Sequence, residues 1–123
     1  SKMYQHSQYP YLVAHVDRLI TGSDELLECK TCSQYKLEEW ENKIPKEYVL
    51  QVIWYLGITG RKKGWIACLI GGQKFDYKCI DFDEELFNDI MEQIIDDIDE
   101  GANQDAIIFH INISADTIES QLG

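Results

Sequence analysis

The stretch that decides the fold reads Tyr11-Leu-Val-Ala-His-Val-Asp17-Arg-Leu-Ile20 and, after a short turn, Glu25-Leu-Leu-Glu28-Cys29-Lys30. Both segments have the apolar content of strands, and the charges at Asp17, Glu28 and Lys30 interrupt that pattern. Residues two apart in a strand point the same way, so Glu28 and Lys30 share a face. Alternation directs Cys29 to the opposite face, where we expect it to enter the core. Two carboxylates and an ammonium at a sheet edge suit a magnesium-dependent phosphodiesterase, so the pattern predicts a nuclease.

The rest of the chain predicts further strands and helices around these two segments. After the strands over 11–20 and 25–31, we predict a loop with one helical turn over 32–44 and a helix from Pro45 to Leu56, ended by Gly57 and Gly60. A strand over 65–70 and a partner strand over 73–81 should form a hairpin at Gly71-Gly72. The last predicted elements are a helix over 84–100 between Asp83 and Gly101, a strand over 106–113 and a short helix capped by Ser114. Helical spacing places Val49, Val52, Ile53 and Leu56 in the core. The second helix carries a longer stripe, of Leu86, Phe87, Ile90, Met91, Ile94, Ile95 and Ile98.

Composition is typical of one globular domain, with 123 residues and 45% hydrophobic content. No apolar run is long enough for a membrane span, and the polar start lacks the apolar region of a signal peptide. We therefore expect a cytoplasmic protein without membrane contact, whose cysteines stay reduced.

Charge is divided unevenly along the chain, whose net charge is −11. All 11 Lys and Arg lie in residues 1–80 beside nine acidic residues, whereas residues 81–123 hold 13 acidic residues and no base. The net negative charge therefore comes from residues 81–123, where it is explained by an acidic surface exposed to solvent. It does not exclude DNA binding by residues 1–80. Within that part, Arg61, Lys62 and Lys63 are candidates for phosphate contact.

The candidate catalytic set combines the strand residues with a helix residue. Asp17 and Glu28 would supply two oxygen ligands to Mg²⁺, and the backbone carbonyl of Cys29 a third. Lys30 would hold or deprotonate the attacking water and offset charge in the transition state. Gln51 lies outside the apolar stripe of its helix and could orient Lys30 or the water by hydrogen bonding.

The four cysteines are compatible with a different kind of site, one that binds zinc or acts in redox chemistry. Cys29 and Cys32 have the spacing of a zinc or redox knuckle, and Cys68 and Cys79 would complete four ligands. This pair begins inside a predicted strand, however, and free cysteine is a common small core residue. Core thiols are therefore favoured over a zinc-binding structural domain.

The ordered set Asp17…Glu28-x-Lys30, followed by a helix of the form Pro45-x-x-Tyr48-x-x-Gln51, resembles the PD-(D/E)XK nucleases. More narrowly, the chain is similar to the phage lambda exonuclease and YqaJ-like viral recombinase family over residues 11–100. Segments that carry this similarity are Val16-Asp17-Arg18, Leu27-Glu-Cys-Lys-Thr31, Ile44-Pro…Tyr48-Val-Leu-Gln51, Tyr55-Leu-Gly-Ile-Thr59 and Ile66-Ala-Cys-Leu-Ile-Gly-Gly72…Phe75.

The resemblance implies an α/β fold with a restriction-endonuclease-like core, a central mixed sheet flanked by helices. It implies Mg²⁺, with Mn²⁺ as a substitute, and two-metal hydrolysis of linear duplex DNA from a 5′ end to make 3′ overhangs for recombination. Asp17 and Glu28 match the family's metal carboxylates, Lys30 its catalytic lysine and Gln51 its motif glutamine. A homotrimeric ring, a single-strand annealing recombinase as partner and a phage or prophage protein in a bacterial host are implied in the same way.

One departure from the family concerns the start of the chain. The family has an earlier helix with a further acidic residue, whereas residues 1–16 contain no Asp or Glu. We expect residues 1–123 to be a single nuclease-core domain that lacks its N-terminal helical part and, as a fragment, lacks activity. Another PD-(D/E)XK endonuclease or repair nuclease, or a non-catalytic DNA-binding or assembly module, remain alternatives.

Overall fold

A computed structural model of the protein describes residues 2–101. The chain divides into two compact units, Ser1–Phe82 and Asp83–Gly123, which are taken in turn. The strand predicted over 106–113 and the helix predicted after Ser114 lie outside the described residues.

The first unit contains six strands and two helices, in which a two-stranded sheet precedes a four-stranded one. The strands are β1 Lys2–Gln5, β2 Val13–Val16, β3 Arg18–Leu19, β4 Glu25–Cys32, β5 Lys63–Ile70 and β6 Lys74–Asp81, and the helices are α1 Leu37–Asn42 and α2 Lys46–Thr59, with a 3₁₀ turn at Gln34–Lys36. The predicted hairpin between β5 and β6 is present, and Gly71 and Gly72 both have positive φ, 60° and 71°. A glycine pair suits this turn because L residues with side chains rarely adopt such φ values.

The predicted continuous strand over 11–20 is wrong, because the chain breaks at Asp17. Residues before the break pair with β1, and Arg18 and Leu19 pair with β4 in the other sheet. The backbone N–H of Asp17 leaves the strand ladder and donates to the Glu28 carboxylate, 2.9 Å away. A side chain eleven positions along the chain thus replaces a strand partner, and no local pattern could indicate that.

The four-stranded sheet has the order β3-β4-β5-β6 and is mixed. Its central pair, β4 and β5, is parallel, with Glu28 opposite Ile66 and Lys30 opposite Cys68. The two outer pairs are antiparallel. A parallel pair needs a long crossover connection, which here contains α1 and α2. The predicted mixed sheet is therefore confirmed.

Helix α2 is longer than predicted and packs closely on the sheet. Gly57 lies inside it, and the helix ends at Gly60, whose φ of 72° gives a left-handed cap. Its buried residues are Leu50, Val52, Ile53, Leu56 and Ile58, so the predicted Val49 is only half-buried. Ile58 explains the extension, because burying this side chain offsets the cost of about 1 kcal/mol for glycine within a helix.

The second unit contributes helix α3, Glu84–Asp99, to the described residues. The predicted cap is confirmed, since the Asp83 side chain accepts a hydrogen bond from the Leu86 N–H at 3.0 Å. The apolar stripe is narrower than predicted: Leu86, Phe87, Ile90 and Ile94 are buried, Met91 and Ile95 half-buried, and Ile98 exposed. Through residue 101, no helix combines the length and apolar character that crossing a membrane requires.

Candidate active site

Asp17 and Glu28 are fixed to each other by two backbone hydrogen bonds in opposite directions. The Asp17 N–H donates to Glu28 Oε1 at 2.9 Å, and the Cys29 N–H donates to Asp17 Oδ2 at 2.9 Å. Each carboxylate therefore uses one oxygen to join β4 to the break before β3. The second oxygen of each, Oδ1 of Asp17 and Oε2 of Glu28, accepts neither of these bonds, so both carboxylates keep an oxygen for a further ligand.

Cys29 contradicts its predicted orientation, because its side chain is exposed. The covered face of β4 is the one that carries Leu26, Glu28 and Cys32, with Lys30 half-buried among them. The polar residues thus lie on the inner face, and the prediction placed the core on the wrong side. Backbone N–H and C=O of one strand residue point to the same edge. The carbonyl of Cys29 therefore faces the Asp17 side, and its predicted role as a metal ligand stays a prediction.

The electrostatic environment of Glu28 disfavours its charged form. The side chain is only 2% exposed. Burial, together with the charge of neighbouring Asp17, raises the pKa of Glu28 from 4.5 to about 7, although the Asp17 N–H and Lys30 act in the opposite direction. A buried carboxyl group beside a second carboxylate is a common feature of functional sites, where a bound cation relieves the repulsion.

Lys30 lies on the same face as Glu28 and is held from α2. Its ammonium donates a hydrogen bond to Gln51 Oε1. The amide nitrogen of Gln51 donates in turn to the Tyr55 hydroxyl at 2.8 Å, which fixes the amide with its oxygen towards Lys30. The structure therefore brings Gln51 to Lys30, the first of the two roles that the sequence left open for it.

Two tyrosines flank this pair, and no role in the site was predicted for them. Tyr48 places its ring 5.2 Å from the Lys30 ammonium, a cation–π distance. Burial raises the pKa of the Tyr55 hydroxyl, and the negative charge of Glu28 adds to this effect. Tyr48 and Tyr55 stand three residues before and four after Gln51, so helical spacing was the signal that could have indicated their contact.

The donor set fits magnesium better than zinc. Mg²⁺ is commonly bound through one or two carboxylates, with water and substrate phosphate as further ligands, and Asp17 and Glu28 meet that requirement. Structural zinc needs four protein ligands. Within residues 2–101, no three His, Cys, Asp or Glu side chains are arranged to hold a metal ion. Cys32 and Cys68 contact each other in the core, whereas Cys29 is exposed and Cys79 half-buried, so the four thiols do not converge.

The predicted basic segment does not join this cluster through any contact among the described residues. The Arg61 guanidinium donates to the backbone carbonyls of Ser23 and Glu25, at 2.6 and 3.1 Å. It thereby fixes the turn between β3 and β4. Lys63 lies in β5 with its ammonium 4.0 Å from Asp81, and Lys62 is exposed. DNA contact by these three residues stays a prediction.

The chain is similar in sequence to one family of known proteins. The family model described as YqaJ-like viral recombinase domain matches residues 1–62. The chain is 45% identical over 95 residues to an uncharacterized protein YqaJ from Bacillus subtilis (strain 168). That alignment covers 75% of this chain and 30% of the relative, so the chain spans about a third of the relative's length.

A solved structure is similar in fold. The crystal structure of an alkaline exonuclease (LHK-Exo) from Laribacter hongkongensis matches with a TM-score of 0.67 and 17% sequence identity. The match covers 99% of this chain and 60% of that chain. At this identity the likeness concerns the fold alone, and it confirms the predicted α/β fold with a restriction-endonuclease-like core.

Proposed function

Since the chain belongs to the family of YqaJ-like viral recombinase domains, we propose that it is the catalytic core of a magnesium-dependent DNA exonuclease. Its substrate is linear duplex DNA, which it degrades from the 5′ end by phosphodiester hydrolysis, leaving 3′ overhangs for recombination. The proposed activity is that of the full-length protein, because the chain spans 30% of its curated relative.

The observation that carries this proposal is the pair of backbone hydrogen bonds that fixes Asp17 and Glu28 to each other, with Lys30 on the same face of β4 as Glu28. A buried carboxyl with a pKa near 7 weakens the fold unless a ligand compensates it. A neutral glutamine at position 28 would accept the same hydrogen bond from the Asp17 N–H without carrying a charge. The carboxyl is therefore better explained by chemistry than by packing.

Each protein group has a defined task in the proposed hydrolysis. Bound Mg²⁺ would supply Lewis-acid polarisation of the phosphoryl oxygen and make hydroxide available near neutral pH. The oxygens of Asp17 and Glu28 that do not accept the two backbone bonds would hold the cation. Since those bonds fix both carboxylates before the cation arrives, little rearrangement is needed on binding.

Lys30 supplies positive charge next to the two carboxylates. Its ammonium would donate a hydrogen bond to the attacking water and offset the negative charge that develops on the phosphoryl oxygens. Gln51 and the Tyr48 ring hold the flexible lysine side chain in one place, which favours a productive geometry. Tyr55 is a positioning residue that acts through Gln51.

A cleavage assay with the full-length protein tests the proposal. The substrate is a linear duplex with a 5′ phosphate, labelled at one end, and the metal is Mg²⁺. We expect progressive shortening of a 3′-labelled strand, because degradation begins at its 5′ end, and a fall in rate of about 10²–10³-fold in Lys30→Ala, the magnitude typical of losing one oxyanion donor. Cys29→Ser is the matched control, because its exposed side chain neighbours Lys30 on the opposite face.

The outcomes separate the proposal from its alternatives. Cleavage of circular duplex DNA would indicate an endonuclease. Metal-independent DNA binding that tolerates Glu28→Ala, without any hydrolysis, would indicate a DNA-binding or assembly module. Full activity of Lys30→Ala would overturn the assigned mechanism.

Oligomeric state and partner form a separate part of the proposal. The family resemblance favours a homotrimer that works with a single-strand annealing recombinase. Light scattering on the full-length protein should give three times the protomer mass, and a purified annealing protein should co-elute with it. A monomer that cleaves DNA would remove the trimer from the proposal and leave the chemistry intact.

A further inference from the structure

An open cleft of about 220 Å³ lies beside Asp17. Its lining residues are Lys2, Tyr4, Val16, Asp17, Arg18 and Leu19. Lys2 pairs with Val16 across the β1–β2 ladder, and Tyr4 lies two residues further along β1. Cross-strand partners and residues two apart share a face, so these three side chains form one wall. Asp17 therefore borders both the candidate active site and this cleft, which carries two cations.

Both cations in the cleft lack a side-chain partner in the described part of the chain, whereas most other cations are engaged. Lys30 donates to Gln51, Arg61 to two backbone carbonyls and Lys78 to the Trp40 carbonyl, while Lys63 lies 4.0 Å from Asp81 and Lys74 2.8 Å from Glu41. Lys43 and Lys46 also have partners. Among the lysines and arginines whose side chains the structure describes, Lys2, Arg18 and Lys62 remain, and two of these three lie in the same cleft.

This arrangement suits a phosphate group that lies next to the reacting one. Asp17 and Glu28 with Lys30 give the site one formal negative charge, which opposes the approach of DNA. The cleft cations change this to one positive charge. Arginine matches the geometry of phosphate oxygens with two parallel N–H donors, and lysine acts as a point charge. Neither side chain has to break an ion pair among the described residues before it binds.

We propose that Lys2 and Arg18 form a subsite for an internal backbone phosphodiester of the DNA strand, adjacent to the phosphodiester that Asp17 and Glu28 address. The subsite rests on the proposed nuclease function and identifies where that function holds its substrate. The half-buried Tyr4 offers an apolar ring on the same wall, against which a sugar can lie.

Salt dependence of DNA binding tests the subsite. The full-length protein, with Ca²⁺ in place of Mg²⁺ to prevent cleavage, is titrated with a labelled duplex over a range of NaCl concentrations. Each phosphate contact contributes about 0.9 to the slope of log K against log salt. We expect Lys2→Gln and Arg18→Gln each to lower the slope by about 0.9, and the double variant by about 1.8. Lys74→Gln, an equal charge change on β6 outside the cleft, should keep the wild-type slope.

Duplexes with 5′-phosphate and 5′-hydroxyl ends distinguish an internal backbone phosphate from the terminal 5′ phosphate as the group that binds in the cleft. Equal losses on both duplexes support a backbone contact, whereas a loss confined to the 5′-phosphate duplex would overturn it in favour of a terminal phosphate. A double variant that melts like wild type and keeps the wild-type slope also overturns the subsite. In that case, a wild-type protein that still cleaves DNA leaves the nuclease proposal standing, whereas a wild-type protein that neither binds nor cleaves DNA removes both.

Discussion

Replacing Glu28 by glutamine should remove a pH-dependent weakness from the fold. Glu28 is 2% exposed, and its carboxyl accepts a hydrogen bond from the Asp17 N–H. Glutamine has nearly the same size and keeps a carbonyl oxygen as acceptor, so the packing and this hydrogen bond survive. Only the ionisation is lost. The substitution therefore isolates the free energy of placing a negative charge at this position.

The size and sign of the effect follow from the pKa of Glu28, which burial chiefly raises from 4.5 to about 7. Below pH 4.5 the carboxyl is protonated in both the folded and the unfolded chain and has no effect on pH dependence. Between pH 4.5 and 7 the unfolded chain releases the proton while the folded chain retains it. The free energy of unfolding falls by about 1.4 kcal/mol per pH unit over this window, or about 3 kcal/mol in all.

The assay is urea unfolding of metal-free protein at pH 5 and pH 8, followed by tryptophan fluorescence. Trp40, Trp54 and Trp65 all lie in the unit that contains Glu28, so they report on its unfolding. Wild type should lose about 2.5 kcal/mol more than Glu28→Gln between the two pH values, because part of the effect already lies below pH 5. Glu92→Gln, an exposed change of equal charge on α3, controls for general acidity.

Addition of Mg²⁺ at pH 8 extends the same measurement. A cation that binds the folded state at 100 times its Kd stabilises it by about 2.7 kcal/mol. Mg²⁺ should stabilise the wild type by this amount and should stabilise Glu28→Gln much less. Parallel pH profiles for the two proteins would refute the reasoning about the buried charge. Equal stabilisation of both by Mg²⁺ would show that Glu28 is not a ligand.

Three further substitutions test particular contacts. Gly64→Ala should destabilise the first unit by about 1–3 kcal/mol in urea unfolding, because its new methyl group would overlap Cγ1 of the buried Val52 on α2; stability equal to wild type would contradict this packing. Arg61→Gln should destabilise by about 1.5–3 kcal/mol by the same measurement, since two backbone carbonyls lose a charged donor; an unchanged midpoint would mean that these hydrogen bonds add nothing. Tyr55→Phe should lower kcat for DNA cleavage about 3- to 10-fold with KM unchanged, because the Gln51 amide loses the partner that fixes it, and a change in KM alone would assign the tyrosine to substrate binding.

Local signals in the sequence predicted much of the architecture. The apolar run that ends at Ile70, the glycine pair after it and the Asp83 cap each depend on residues close together in the chain, and all three predictions are confirmed. Strand alternation also placed Glu28 and Lys30 on one face, as the structure has them. Such features could be predicted because backbone geometry and turn conformation are decided over a few residues.

The errors have a common cause, which is that partners distant in the chain decide them. Alternation shows that Cys29 and Glu28 face opposite ways but not which face a helix covers. Here α2 covers the polar face, where its Gln51 accepts a hydrogen bond from Lys30. The break at Asp17 arises in the same way from an acceptor on β4. Strand β1 was not predicted at all, although it supplies two residues of the cleft.

Without ligands, the carboxylates of Asp17 and Glu28 and the cleft cations Lys2 and Arg18 form no ion pairs with each other in the described part of the chain. Arg18 follows Asp17 directly and lines the same cleft, but among the described residues the Asp17 carboxylate accepts its hydrogen bond from the Cys29 N–H and forms no ion pair with Arg18. A bound cation would remove the repulsion between Asp17 and Glu28, and a DNA phosphate would neutralise the cleft cations. Each ligand also lowers the electrostatic cost of binding the other, since the phosphate brings negative charge to the cation and the cation positive charge to the phosphate. Under the proposed function, metal and DNA should therefore bind with positive cooperativity, and by linkage each should raise the affinity for the other by the same factor.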